Sequence, residues 1–311
     1  MRILLIRNDN IGDLICTTPA IEGLRKRFPE AEIEIVVNSY NRVVVEGNRF
    51  IDRIWSYTKP KHKKGLGEKV KAGVGKLELF WQLARRSYDI GIVFRSGFSS
   101  SAYQFLQVAR PRRRLGIGPA SKFTDPRPPV KNLHEVLLCF HILKPLGIEY
   151  QGERCYFPIA PDLRDRFKNY PPGIAIHISS RLPENRFTPA QLQALIYQLT
   201  PFSLPLYLTA APSDWKVGEQ MEGAQLVKTG GLKELGVFLS QMKLFISLDG
   251  GALHLGGAVG TPTVSLFGRT NPDRWSPWGY HHLALKSPTG RVADIPVEAV
   301  VEKVAEGLGR G

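Results

Sequence analysis

Short apolar runs alternate with helical stretches in both halves of the 311-residue chain. The pattern is set at the start. Residues 2–7 read as a buried strand, and Asn8-Asp-Asn-Ile-Gly-Asp13 is turn chemistry. Leu14, Ala20, Ile21 and Leu24 then mark a helix that closes on Arg25-Lys-Arg27, where cations suit the negative end of the dipole. Pro29 stops it and residues 33–37 form the next strand, a β-α-β unit. Residues 90–94 read as a further strand and 132–143 as a helix. In the second half, strands are expected at 174–178, 205–209, 244–248 and 263–267. Helices are expected there at 189–199, 232–241, 251–259 and 297–307. Such alternation predicts an α/β chain with two parallel sheets, each covered on both faces. Pro158, Pro161, Pro171 and Pro172 surround residues 156–170, the expected linker between domains 1–160 and 161–311. No 20–50-residue repeat is evident, which excludes solenoids.

Charge separates the two halves. Residues 1–160 carry 27 Lys+Arg against 15 Asp+Glu, and residues 161–311 carry 15 against 13. A basic half beside a near-neutral half points to an anionic partner for the first, against the plain alternative of solubility. Residues 58–76 hold seven lysines and four glycines and read as a mobile basic loop leading into a helix at 77–86. Residues 110–114 form a second basic cluster in a turn. The lysine-rich loop has no interleaved aromatics, which argues against nucleic acid. Cys16, Cys139 and Cys155 form no CxxC pair, so a reducing cytoplasm is expected, with Cys16 a small buried filler. No apolar run approaches a membrane span, and residues 1–8 are too short and charged for a signal peptide.

Three segments carry chemistry. In the first, Arg7-Asn-Asp-Asn-Ile-Gly-Asp13, the loop follows a strand and opens a helix, where open α/β sheets bind ligands. Gly12 is expected to allow a tight turn. Asp13 is either an N-cap or a general base. The second is Ser247-Leu-Asp-Gly-Gly-Ala-Leu-His254, continuing through Gly256 and Gly257. There Gly250 and Gly251 bring bare amides to a helix N-terminus, an anion site, with Asp249 before them and His254 one turn on. His254 could equally be an ordinary core or surface histidine. The third runs from His177 to Pro189. Ser179, Ser180, Arg181 and Arg186 are phosphate candidates, and Thr188-Pro189 reads as a plain helix start. GxGxxG, P-loop, GxSxG, DxD and zinc-ligand patterns are absent, and no metal or cofactor is expected.

Together these segments resemble glycosyltransferase family 9, the ADP-heptose:lipopolysaccharide heptosyltransferases. The likeness is densest in residues 2–29 and 245–278, including Phe267-Gly-Arg-Thr-Asn-Pro-Asp-Arg-Trp-Ser-Pro-Trp278. It implies the GT-B architecture: two Rossmann-like domains facing a central cleft, with the last helix packing back toward the first domain. The first domain would bind the acceptor and the second the nucleotide sugar. By position, Asp13 matches the family's catalytic base. Asp249, Gly250, Gly251 and His254 match its donor-holding segment, with Gly250 where a threonine or serine is usual. Ser179 and Ser180 match phosphate contacts. Asn185-Arg-Phe187 stands where the family has Lys-x-Trp, so Arg186 or Arg181 is the candidate replacement for the lysine. Asp214 is the nearest carboxylate for the nucleoside.

The resemblance implies inverting, metal-independent transfer of a heptose from ADP-heptose to the lipopolysaccharide inner core. The acceptor would be an anionic lipid-linked sugar such as Kdo-lipid A or the inner core. Arg7, Lys61, Lys63, Lys64, Arg112 and Arg113 would form the basic surface that meets it. A peripheral contact with the inner face of the inner membrane is expected. The alternatives are another nucleotide-sugar donor, or a sugar-nucleotide epimerase of the same architecture.

Overall fold

The computed structural model describes residues 1–59 and 65–309. The chain divides into two compact units, Met1–Arg154 and Cys155–Gly311.

The first unit contains β1 (Arg2–Ile6), α1 (Ile11–Arg27), β2 (Glu32–Asn38), β3 (Arg53–Tyr57), α2 (Leu66–Ala84) and β4 (Ile90–Val93). It continues with α3 (Ser100–Ala109), β5 (Arg113–Ile117), β6 (Asp125–Arg127) and α4 (Glu135–Leu143). The six strands pair in parallel in the order β3-β2-β1-β4-β5-β6. Ile3, Leu4, Leu5 and Ile6 are buried completely, which explains why β1 is a continuous apolar run rather than an alternating one. The chain reverses its direction of growth at β1, with β2 on one side and β4 on the other. Ligands of such sheets bind outside the carboxyl ends of the strands at that reversal.

Helix α1 contains Pro19, which cannot donate to the carbonyl of Ile15. Thr18 Oγ1 donates to that carbonyl instead, at 2.7 Å, so the acceptor is satisfied. Helix α2 begins at Leu66, well before the helix start expected at residue 77. Gly67, Gly73 and Gly75 disguise it. Ala72, Leu79 and Leu83, at helical spacing, supply the buried face that holds it. The basic cluster at 110–114 is also not all turn, because Arg113 opens β5.

The second unit contains β7 (Ile174–His177), α5 (Pro189–Leu199), β8 (Leu206–Thr209), α6 (Trp215–Glu219), β9 (Gln225–Val227) and α7 (Leu232–Leu239). Then come β10 (Leu244–Leu248), α8 (Gly251–Ala258), β11 (Thr263–Phe267), α9 (Pro272–Trp275), β12 (Ala284–Lys286) and α10 (Val297–Gly307). Its strands are also parallel, in the order β12-β11-β10-β7-β8-β9, with the reversal at β7. Thr188 caps α5 in a reciprocal pair with Gln191, and Pro189 takes the first helical position. Helix α10 packs on α5 and β11 of its own unit, burying Val300 and Val304. Among the described residues no helix is long and apolar enough to cross a membrane.

Candidate active site

In the first unit the loop after β1 is built around Arg7. Its side chain is 0% exposed. Its guanidinium meets Asp9 at 3.0 Å, Asp13 at 3.0 Å and Glu135 at 2.8 Å, and it donates to the Phe94 carbonyl. Arg7 was expected on an acceptor-facing basic surface, and the structure corrects this. Following a fully buried strand, its charge is balanced by three carboxylates instead of water. Burial opposes the Arg7 charge, but Asp9, Glu135 and Asp13 outweigh it and keep the guanidinium protonated well above its ordinary range.

Asp13 is not the N-cap of α1. Asn10 holds that place, and Asp13 is the third helical residue. One oxygen accepts from Arg7 and the other from Asn10 Nδ2 at 3.0 Å. The side chain remains 16% exposed at the carboxyl edge of the sheet. A carboxylate in the first turn suits the positive end of the helix dipole. Gly12 lies inside the helix, so it makes no turn of its own. Asp9 also faces Arg95 at 2.9 Å. Burial pushes the Asp9 carboxyl up to about 6; Arg7 opposes this and Asp13 adds to it. The loop backbone is pinned from β2 and the turn after it. Asn41 Nδ2 donates to the Arg7 carbonyl, and Asn38 Nδ2 to those of Asn8 and Asp9.

In the second unit the candidate residues gather at the carboxyl edge around β7 and β10. Asp214 is buried, and its oxygens take the Ser179 hydroxyl at 2.6 Å and Arg186 Nη1 at 3.0 Å. Ser179 Oγ also accepts from the Ala211 amide at 2.8 Å. Arg186 Nε donates to the Ser180 carbonyl at 2.7 Å. Ser180 is buried, whereas Arg181 is exposed. His177, at the end of β7, contacts Thr209 Oγ1 through Nδ1 at 3.1 Å. Desolvation pulls its ring down to about 4, against the pull of Asp214, so it is neutral at pH 7.

Asp249 follows β10 and accepts from Thr270 Oγ1 at 2.6 Å. Gly250 is the N-cap residue of α8 and Gly251 its first helical residue, so no side chain covers the leading amides. His254 is buried and stands edge-on to Trp275, with ring centroids 6.1 Å apart. Gly256 lets α8 approach the sheet: a Cβ there would lie 2.5 Å from Phe245 Cδ1 and 2.7 Å from Thr263 Oγ1. Gly257 faces Pro277 instead. Among the described residues no group of three or more His, Cys, Asp or Glu side chains is placed to hold a metal ion.

A family model described as glycosyltransferase family 9 (heptosyltransferase) matches residues 76–304. The chain belongs to glycosyltransferase family 9. It is 24% identical over 292 residues to lipopolysaccharide heptosyltransferase 3 of Escherichia coli, covering 86% of this chain and 83% of that protein. Its fold matches the glycosyl transferase family 9 protein of Veillonella parvula DSM 2008 with a TM-score of 0.84 at 21% identity, over 100% of this chain and 97% of that one. It also matches the Escherichia coli heptosyltransferase WaaC solved with ADP, at a TM-score of 0.80 and 16% identity, over 99% and 100%. The two helix-flanked parallel sheets are of the GT-B type.

Two expected members of the basic surface stand elsewhere in this family 9 protein. Arg113 opens β5, so it lies at the amino edge of the sheet, opposite to Asp13, and it is held by Asp125 at 2.8 Å. Arg112 precedes it, 86% exposed, with Asp89 at 3.8 Å. A parallel strand carries its first residues to the far edge, so neither arginine joins the Asp13 loop. Lys61, Lys63 and Lys64 lie outside the described residues. Other residues of the site were not foreseen. Asp9, Arg95 and Glu135 complete the Arg7 cluster, and Thr270 and Trp275 complete the surroundings of Asp249 and His254. The Asn-Asp-Asn run marked the first of these as turn chemistry only. Glu135 is 128 positions from Arg7, and no local pattern links them.

Proposed function

We propose that this family 9 protein transfers a heptose, with inversion and without a metal ion, from ADP-heptose to the anionic inner core of lipopolysaccharide. The observation that carries the reading is the state of Asp13. Its carboxylate is fixed by Arg7 and Asn10, yet remains open at the carboxyl edge of the sheet. The acceptor hydroxyl loses its proton to Asp13 as its oxygen bonds to the anomeric carbon. The bond from that carbon to the diphosphate breaks, and ADP departs with the electron pair. Once Asp13 is neutral, Arg7 still has Asp9 and Glu135 as counter-ions, so the transfer leaves no buried cation uncompensated.

The diphosphate gathers charge as it leaves. The amides of Gly250 and Gly251 at the start of α8, with Arg186 beside Ser179 and Ser180, are the groups assigned to receive it. Arg186 rather than Arg181 is assigned the role of the family's lysine, because it alone of the two is tied into the Ser179–Asp214 network. The relatives named as lipopolysaccharide heptosyltransferases and the neighbour solved with ADP support this choice of donor. The test is transfer from ADP-heptose to Kdo-lipid A, assayed with and without EDTA and with the acceptor omitted. ADP release that needs the acceptor and survives EDTA is expected. Acceptor-independent conversion of a nucleotide sugar to its epimer would favour an epimerase, and loss of activity restored by Mg²⁺ would refute metal independence.

A further inference from the structure

Helix α2 is apolar on two opposite faces. Ala72, Leu79 and Leu83 are buried, and Leu79 and Leu83 join the core around Tyr57 and Phe105. At 3.6 residues per turn, Val70, Val74, Leu77 and Trp81 fall within an arc of about 60° on the reverse side. They are 59%, 59%, 67% and 59% exposed. Scattered exposed apolar residues are ordinary, but a continuous row along the outward face of a surface helix is not. Cations border this row. Lys69, Lys71 and Arg85 are exposed, and the Arg85 guanidinium lies 4.5 Å from the Trp81 ring centroid. Residues 59–86 carry nine Lys+Arg against two Glu.

A bilayer interface has the complementary chemistry. Aliphatic side chains and tryptophan settle at the headgroup–acyl boundary, while lysine and arginine meet anionic headgroups. A protein groove would accept the apolar row but gives no reason for the cationic border. The topology adds a second consideration. β3 and β4 are both parallel to β1, so α2 runs antiparallel to the sheet between them. Its first turns therefore stand at the carboxyl edge that also carries Asp13.

We propose that the outward face of α2 docks this unit on an anionic lipid surface. Val70, Val74, Leu77 and Trp81 enter the interfacial layer, and Lys69, Lys71 and Arg85 meet the headgroups. The inference deepens the reading of a lipid-linked acceptor, but lipid binding itself requires no transfer chemistry. The test is co-sedimentation of the full chain with vesicles of phosphatidylcholine alone or with about 30% phosphatidylglycerol. Wild type is expected to bind the anionic vesicles selectively, and less so in about 0.5 M salt. Leu77→Glu/Trp81→Glu should lower the partition coefficient at least about tenfold while keeping the wild-type thermal midpoint, since both side chains are exposed. Three results would overturn the proposal. Wild type and variant could bind equally, wild type could fail to bind, or wild type could be a dimer that the double substitution dissociates. ADP-heptose turnover, measured separately, reports on the transferase reading alone.

Discussion

Arg7 shows how one buried cation organises a reactive loop. Removing any carboxylate around it alters the balance for the others, because all of them share a single guanidinium. The second unit holds the complementary case of a buried neutral group. His177 binds a proton near pH 4 when folded but near 6.5 when unfolded. Between those values the unfolded chain binds more protons, so stability is present above pH 6.5 and is lost as pH falls toward 4. Asp9, raised to about 6, acts in the opposite sense, binding more protons when folded and gaining stability as pH falls below 6. Comparing wild type with His177→Gln isolates the histidine. Between pH 7 and pH 5 the variant should lose about 2 kcal/mol less stability than wild type in denaturant titrations. Parallel profiles would show that His177 is not held neutral by the fold. The sequence places Arg7 with the basic surface of the first half on charge alone. Its burial depends on Glu135 and the Phe94 carbonyl, distant in sequence, which no local pattern discloses.

Helix α8 links packing to donor chemistry at the next scale. It presents Gly250 and Gly251 at its start and His254 one turn in, and Gly256 sets its distance from β10 and β11. Gly256→Ala would force a methyl against Phe245 and Thr263. Such overpacking should cost about 1–3 kcal/mol. It should also weaken ADP binding, because the helix start moves with the helix. Calorimetric titration with ADP alongside chemical denaturation checks both. Wild-type values in the variant would mean that α8 has room to spare. Elements of this kind were legible beforehand. The strand ending at Leu248, the paired glycines and the helix follow directly from periodicity and turn chemistry, as do α5 and α10. Helix α2 was cut short because its glycines resemble a linker, and the core that overrides them comes from Tyr57 and Phe105, outside the helix. Strand β5 is hidden because its first residues are Arg113 and Arg114, partly exposed at the amino end of the strand.

For the molecule as a whole, both sheets reverse at their first strand, with Asp13 in one unit and the Ser179–Asp214 and Asp249 groups in the other at the carboxyl edge. The uneven charge follows the same division. All of the excess in residues 1–160 lies in the unit that carries Asp13, and residues 155–160 contain no charged side chain. Arg7, Arg86 and Arg113 are tied to carboxylates and so belong to the cancelled charge, which leaves the excess on other cations of that half. The exposed Lys69, Lys71 and Arg85 of α2 are among those other cations. The assignment of Asp13 as the base is tested most directly by one experiment. Turnover of ADP-heptose with a lipid-linked acceptor should be compared in wild type and Asp13→Asn, with ADP affinity measured on the same preparations. If Asp13 is the base, kcat falls on the order of 10²–10⁴-fold with ADP affinity unchanged. A variant that turns over within a few-fold of wild type would mean that Asp13 is not the base.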